Sequence, residues 1–470
     1  MEKSCLLDRH DCKLRVECPQ WGLEVNPAKL TPFVSPDSMR HKESEPANYT
    51  ASIKANSNPD EPSGTIHNWY RTVLGYSEDL VSRLLEELPF DLRTNIVDPF
   101  CGSGTTLVEC MKRGIDCVGI DANPASFFIS QVKTNWSLRG DRLSELCNEI
   151  RELYPRALRN TSSRRRDPTY VYLESSGMIE RGWISPLPLH KALTIKSCIQ
   201  NLKTTKKYRN ALMLALIAEV TYGASNVRFG PELYCGESRD GHDVLLGFCK
   251  RVQQMASDLD RVTGIDSGIA EVFLGDSREC SRVLDGVCKG SFAGVISSPP
   301  YPTEHDYTRN ARLELVFLEE VSDRESLRRI KKRMIRSHTK GIYKQDSDAK
   351  LVEANDSVQS IVRTLKRKVR YKNHGFARLY PKVVEEYFGG MKQHLMSIKP
   401  VLSPASRCAY ILGDQSSYLR VHIPTAEVLS SVAAEVGFKT LEIRRWRKRW
   451  STTTCRELDE NILILESPDG

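Results

Sequence analysis

The run Ser297-Ser298-Pro299-Pro300-Tyr301 follows an apolar stretch, Ala293–Ile296, that reads as a strand. Two successive prolines hold the backbone extended and remove its N–H groups. The carbonyls before and at the first proline then lack a local donor. With the Ser298 hydroxyl they can accept hydrogen bonds from an –NH2 group, and Tyr301 can stack on a planar base. The lone pair of an exocyclic base amine is delocalised into its ring. Two acceptors on the amino hydrogens favour a pyramidal nitrogen and expose the lone pair for in-line attack on an electrophilic methyl group. Positioning and electrostatics carry such a rate, with no covalent intermediate required. Taken alone, the prolines also fit a rigid turn.

A second run, Val97-Asp98-Pro99-Phe100-Cys101-Gly102-Ser103-Gly104-Thr105-Thr106, is a glycine-rich turn between a short strand and a helix. Glycines there let the backbone approach a ligand, and the helix N-terminus offers unpaired N–H groups to a carboxylate. The next strand ends at Asp121, an acid placed to accept from both hydroxyls of a ribose, or simply to cap a helix. A third strand ends in Gly275-Asp276-Ser277. The turn reads GSG, not GxGxxG, and no lysine follows in the phosphate-cradle position, so neither a dinucleotide nor a nucleotide-triphosphate site is indicated.

These runs need a scaffold that brings strand ends together. Ser77–Leu88 has a capping serine and helical apolar spacing; strand 94–97, helix Thr105–Arg113, strand Asp116–Ile120 and helix Pro124–Trp136 follow. That alternation predicts an α/β fold with a parallel sheet and right-handed crossovers. Residues 137–268 break the pattern; they are mostly helical by period, with the apolar run Leu212–Val220. Strands resume at Ala270–Leu274 and Ala293–Ile296, and later at Arg407–Leu412, Lys439–Arg444 and Asn461–Leu465, with helices at Tyr380–Ile398 and Thr425–Val436. The organisation expected is an arm at 1–64, a cofactor-binding part at 65–136, a helical insertion at 137–268, a catalytic part at 269–320, a basic insertion at 321–375 and a C-terminal catalytic part at 376–470.

The net charge of +8 is concentrated: Val321–Asn373 holds 16 Lys or Arg against 6 Asp or Glu. The run Arg444-Arg445-Trp446-Arg447-Lys448-Arg449-Trp450 interleaves guanidinium groups with indoles, a pattern that suits phosphates and bases or a solvated surface. The 14 cysteines are scattered without a CxxC pair, which fits a reducing compartment and no metal site; the group Cys5, His10, Cys12, Cys18 is a weak zinc candidate. No apolar run approaches the length of a membrane span and Met1–Arg15 lacks a secretory apolar core, so a cytoplasmic protein is expected.

The four strand-end runs together resemble the amino-methyltransferase family of DNA methylases, which modify N4 of cytosine or N6 of adenine. DPFCGSGTT at 98–106 resembles its motif I, GIDANP at 119–124 motif II, LGDS at 274–277 motif III and SSPPY at 297–301 the catalytic motif IV. His67–Leu88 is similar to motif X, the segment that closes over the cofactor. The resemblance spans 65–136, 270–320 and 376–470 and implies a Rossmann-like seven-stranded methyltransferase sheet that uses S-adenosyl-L-methionine. It implies catalytic roles for Ser298, Pro299, Pro300 and Tyr301. It implies cofactor contacts from His67, Tyr70, Asp98, Pro99, Phe100, Cys101, Gly102, Ser103, Gly104, Thr105, Thr106, Asp121, Ala122, Asn123, Asp276 and Ser277, with Asp276 near the adenine amine. The segment Asp306–Leu315 is similar to one that in a subgroup leads into a helix beside the target pocket.

DNA contacts are expected from Arg309, Arg312, Lys366, Arg367, Lys368, Arg445 and Arg447, on double-stranded DNA with the target base flipped. Ser298 at the head of motif IV is similar to the cytosine-N4 enzymes; adenine N6 and a base amine of tRNA stay open, as does a catalytically silent DNA-binding subunit. A cytosine-C5 enzyme needs a Pro-Cys nucleophile where this chain has Pro299-Pro300. Cognate restriction or phage-defence proteins are the expected partners. The chain departs from the family's orders in placing its large insertion between motifs II and III and a basic one after motif IV.

Overall fold

Nine strands form among the described residues of the computed structural model: β1 Asn95–Asp98, β2 Cys117–Asp121, β3 Val227–Phe229, β4 Leu233–Cys235, β5 Ala270–Leu274, β6 Phe292–Ser297, β7 Leu402–Gly413, β8 Lys439–Ser451 and β9 Arg456–Glu466. The structure describes residues 66–72, 75–91, 95–159, 164–229, 233–287, 292–371, 375–451 and 454–468. The arm expected at 1–64, with its Cys5, His10, Cys12 and Cys18, lies outside them. All described residues fall in one compact unit, Tyr49–Gly470.

Seven strands make one sheet in the order β5-β2-β1-β6-β7-β9-β8. The first five run parallel; β9 is antiparallel to both β7 and β8. β6 is buried along its whole length and β1 over its last three residues, as expected of central strands covered on both faces. One face is covered by α1 (Glu78–Glu87) and α2 (Thr105–Lys112). Along the chain follow α3 (Pro124–Lys133), α4 (Gly140–Leu158), α5 (Pro168–Ser175), α6 (Pro186–Asn201), α7 (Lys206–Glu219), α8 (Val244–Val262) and the short α9 (Cys280–Val283). Helices α10 (Tyr307–Asn310), α11 (Arg312–Phe317), α12 (Arg324–Arg333), α13 (Asp356–Val369), α14 (Tyr380–Ile398) and α15 (Thr425–Val436) complete the set. The second sheet face packs against α13, α14 and α15.

Residues 137–268 hold α4 to α8 and the β3–β4 hairpin, and their apolar faces share one core with α3 and α11. The apolar run expected at Leu212–Val220 forms the buried half of α7 and continues into a single π turn, Val220–Ala224. Lys196 on α6 is 1% exposed, and its ammonium bonds Asp167, Thr169 and Glu319, tying α6 to the cap of α5 and to the turn after α11. The basic segment forms two amphipathic helices. In α13, Val358, Ile361, Val362 and Leu365 face the core, each contributing about 1.5–3 kcal/mol, while Arg363, Lys366, Arg367, Lys368 and Arg370 face water.

Three strand boundaries differ from the sequence reading by five residues or more, the first being β7, which starts at Leu402 rather than Arg407. β8 runs to Ser451, past Arg444, and β9 starts at Arg456, not Asn461. The basic run 444–450 is therefore strand. Charge across the ribbon permits it: Arg447 pairs with Glu460 directly opposite, and Lys448 with Glu457 at 2.8 Å.

Gly104 caps α2 at φ 81°, and a Cβ there would stand 3.1 Å from the Ser130 Cβ. Gly104→Ala therefore combines left-handed strain with a clash, and a stability loss of about 1–3 kcal/mol is expected in urea unfolding.

Candidate active site

β1, β2 and β6 are adjacent and parallel, so their carboxyl ends open on one edge, where strand order reverses between β1 and β6. One cleft lies there, about 1310 Å³ including its open mouth, and both the glycine turn and the proline loop line it. The turn is held from behind by the next strand, since the Cys101 N–H donates to the Ile120 carbonyl at 3.0 Å. Asp121 accepts from the Gly102 N–H at 2.9 Å and the Asn123 N–H at 2.8 Å. Burial pushes its carboxyl up to about 6.

Asp98 is fully buried beneath this surface. It accepts from the Ser297 hydroxyl at 2.5 Å, the Phe100 N–H at 3.1 Å and the Tyr76 hydroxyl at 2.8 Å. It thus ties β1 to β6 and is not a wall of the cleft. Thr106 and Gly104 also stand behind the wall; the Thr106 hydroxyl donates to the Ile296 carbonyl at 3.2 Å. Pro99, Phe100, Cys101, Gly102, Ser103, Thr105, Ala122 and Asn123 do line it.

The proline loop is braced at both ends. The Ser298 hydroxyl donates to the Ile411 carbonyl of β7 at 3.2 Å, which commits its proton and leaves its lone pairs as acceptors. The Tyr301 N–H donates to the Tyr307 hydroxyl at 2.9 Å, and the Tyr301 and Ser298 hydroxyls stand 3.4 Å apart. Burial raises the Tyr301 phenol, so it stays neutral.

Two further expected cofactor residues, besides Asp98, Gly104 and Thr106, stand off the cleft wall. His67 is 3% exposed, bonded to Glu109 at 2.8 Å, and lines no part of the cleft. Its segment still serves the site, because the buried Lys133 ammonium binds the His67 and Tyr70 carbonyls at 3.4 and 3.3 Å and turns Tyr70 into the wall. Asp276 caps the turn after β5 and is held by the Arg278 guanidinium at 2.6 Å, which also binds Asp348 at 2.6 Å. Its carboxylate is spent on that cation rather than offered to an adenine amine; Ser277 faces the cleft instead.

Ser277 is positioned by His394, whose Nδ1–H donates to its carbonyl at 2.9 Å while Nε2 accepts from Tyr410 at 2.8 Å. The same ring meets Phe100 edge-on at 5.0 Å. Burial lowers His394 to about 4. An unfolded histidine takes its proton near 6.5, so this stabilisation is present above that pH and is lost as pH falls toward 4. His394→Gln should remove about 2 kcal/mol of the difference between unfolding free energies at pH 7 and pH 5; other titrating groups cancel in the comparison with the wild type.

Sequence reasoning missed several wall residues: Thr72, Tyr76, Tyr222, Glu314, Arg333 and Met334. Tyr222 is delivered by the π turn, its ring 5.3 Å from that of Tyr70, and its hydroxyl donates to the Arg71 carbonyl. Glu314 on α11 accepts the Tyr70 hydroxyl, and burial pushes its carboxyl up to about 7. These partners lie 151 and 244 positions apart, which no local pattern reveals.

The expected DNA-contacting residues are carried by separate elements, α10 and α11, α13, and β8. Arg309 reaches the Leu233 carbonyl of β4 at 3.4 Å and Arg312 the Thr308 carbonyl at 3.1 Å. Lys366, Arg367 and Lys368 are exposed on α13; Arg445 is exposed on β8, where Arg447 stacks on Trp446 at 4.1 Å. No helix among the described residues is long and apolar enough to cross a membrane.

The family model for N6 and N4 DNA methylases matches residues 51–131. The chain is 23% identical to the Type II methyltransferase M.BsoBI of Geobacillus stearothermophilus, over 100% of this chain and 99% of that protein. It is 24% identical to the Type II methyltransferase M.AvaI of Nostoc sp., over 80% of each. A shorter match, 52% identical over 44 residues, joins it to the Type II methyltransferase M.MjaII of Methanocaldococcus jannaschii, covering 9% of this chain and 8% of that one. With the strand order and the shared cleft, these matches make the chain similar to the DNA amino-methyltransferases and imply S-adenosylmethionine as its methyl donor.

Proposed function

We propose that the chain methylates N4 of cytosine in double-stranded DNA, as the modification enzyme of a restriction–modification system. The observation that carries the base-amine chemistry is the bracing of Ser298. With its proton given to Ile411, the hydroxyl can only accept, as a target –NH2 requires. Pro299 and Pro300 keep donors out of the same loop, and Tyr301, held by Tyr307, supplies a planar face. A serine at the head of this loop supports cytosine over adenine through the family resemblance. The relatives' names as Type II methyltransferases support the restriction–modification setting.

The cleft fits the cofactor. Asp121 is a half-buried acceptor without a cation partner among the described residues, and the N-terminus of α2 opens beside it. Asp121 would hold the ribose, and the turn at Gly102–Thr105 the amino-acid portion. The bound cofactor supplies an electrophilic methyl on sulfur. Every other task belongs to the chain: Ser298 and the loop carbonyls orient the amine, Tyr301 stacks the base, and the buried aromatic wall excludes water. A paired base cannot enter the cleft, so the target is flipped out of the duplex.

Digesting DNA after incubation with isotopically labelled cofactor should yield N4-methylcytosine by mass spectrometry. Label in N6-methyladenine, or in tRNA alone, overturns the reading. α12 leads from the cleft rim at Arg333 outward through a row of exposed cations. Neutralising Arg328, Arg329 and Lys332 to glutamine should lower the salt dependence of DNA binding, with the log–log slope falling by up to about three.

A further inference from the structure

We propose that Glu314 is the anionic partner of the cofactor's α-ammonium group, a role that rests on the methyltransferase reading above. S-adenosylmethionine carries two cationic centres, the sulfonium and the ammonium, and one carboxylate. A buried ammonium needs acceptors and a counter-charge. The acid of the glycine turn, Asp98, cannot serve. It is fully buried, and both its oxygens are taken by Ser297, Phe100 and Tyr76. Asp276 is committed to Arg278. Asp121 is on the wall, but its oxygens hold the N–H groups of Gly102 and Asn123 at the ribose end.

Glu314 remains. It is 3% exposed and lines the cleft; one oxygen accepts the Tyr70 hydroxyl, while Oε2 is buried without a hydrogen-bond partner. The Thr221 hydroxyl stands beside it and, as a hydrogen-bond donor, draws the carboxyl down by less than burial raises it. The titratable neighbours are phenols, Tyr70 and Tyr222, and the nearby cations Arg71 and Arg251 act on Tyr222 rather than on the carboxylate. A carboxyl buried so and facing a cavity is half-protonated near neutral pH, which fits a group waiting for an external cation. Three segments far apart in sequence converge to build it: Tyr70 before β1, Tyr222 from the π turn, and Glu314 from α11.

The test compares binding of three nucleosides by calorimetry to wild type and Glu314→Gln, which keeps an acceptor for Tyr70 but removes the charge. The three are S-adenosylhomocysteine, its analogue lacking the α-amino group, and 5′-methylthioadenosine, which lacks the whole amino-acid end. Wild type should prefer S-adenosylhomocysteine over the deaminated analogue by roughly tenfold or more, and Glu314→Gln should lose that preference. Affinity for 5′-methylthioadenosine should not change. Proton release on binding S-adenosylhomocysteine near pH 7, read from buffers of different ionisation heat, should shrink in the variant. An unchanged preference in Glu314→Gln overturns the assignment, as does equal weakening for all three nucleosides. If wild type binds none of them, the methyltransferase reading itself fails.

Discussion

Ser298→Ala should lower turnover by about 10²–10³-fold and leave cofactor affinity within about twofold of wild type. The hydroxyl is braced by Ile411 and faces the cleft, so its removal deletes one of the acceptors set for the target amine without touching the glycine turn. The loop should not collapse, because the prolines and the Tyr307 bond to the Tyr301 N–H remain. Tyr301→Ala should show the same division between turnover and affinity. Single-turnover kinetics alongside calorimetric titration with cofactor separate the two quantities.

The opposite pattern is expected at Asp121. Asp121→Ala removes the ribose acceptor and strands the N–H groups of Gly102 and Asn123 in a buried turn. Loss of charge-assisted bonds of this kind weakens binding by about 10–100-fold, and the loosened turn adds to it. Asp121→Asn should recover part of the loss by retaining an acceptor. With saturating cofactor, turnover should return toward wild type. Identical responses of kcat and cofactor Kd in the Ser298 and Asp121 variants would show that the two roles are assigned wrongly.

The strand-end runs were legible because each couples a periodic apolar strand to residues that have no packing reason to be there. Two prolines after β6 and a GSG turn after β1 are such cases, and the structure brings both into one cleft. The parallel sheet followed from the alternation of those strands with helices, while its seven strands were what the family resemblance implied. Illegible parts fall into two kinds. Some depend on a competitor close in sequence that a motif comparison ignores: Asp276 looked like a ligand acid until Arg278, two residues on, took its carboxylate. Others depend on partners far away, as with Glu314, whose place beside Tyr70 arises only when α11 packs against α3 and the insertion. The length of β8 was hidden because its arginines and lysines look unlike strand until the acids of β9 are set opposite them.

β8 is the sheet's last strand, thirteen residues long, and its outer side pairs with nothing among the described residues. Leu441, Ile443 and Trp450 are exposed along it. A bare edge of that length and composition is a template on which another chain's strand can dock. Lys439, Arg444, Arg445, Arg447, Lys448 and Arg449 interrupt it, so two copies approaching side by side bring rows of like charge together. Whatever these cations do for phosphates, charge along a bare edge disfavours edge-to-edge pairing, and replacing them with apolar residues should promote self-association.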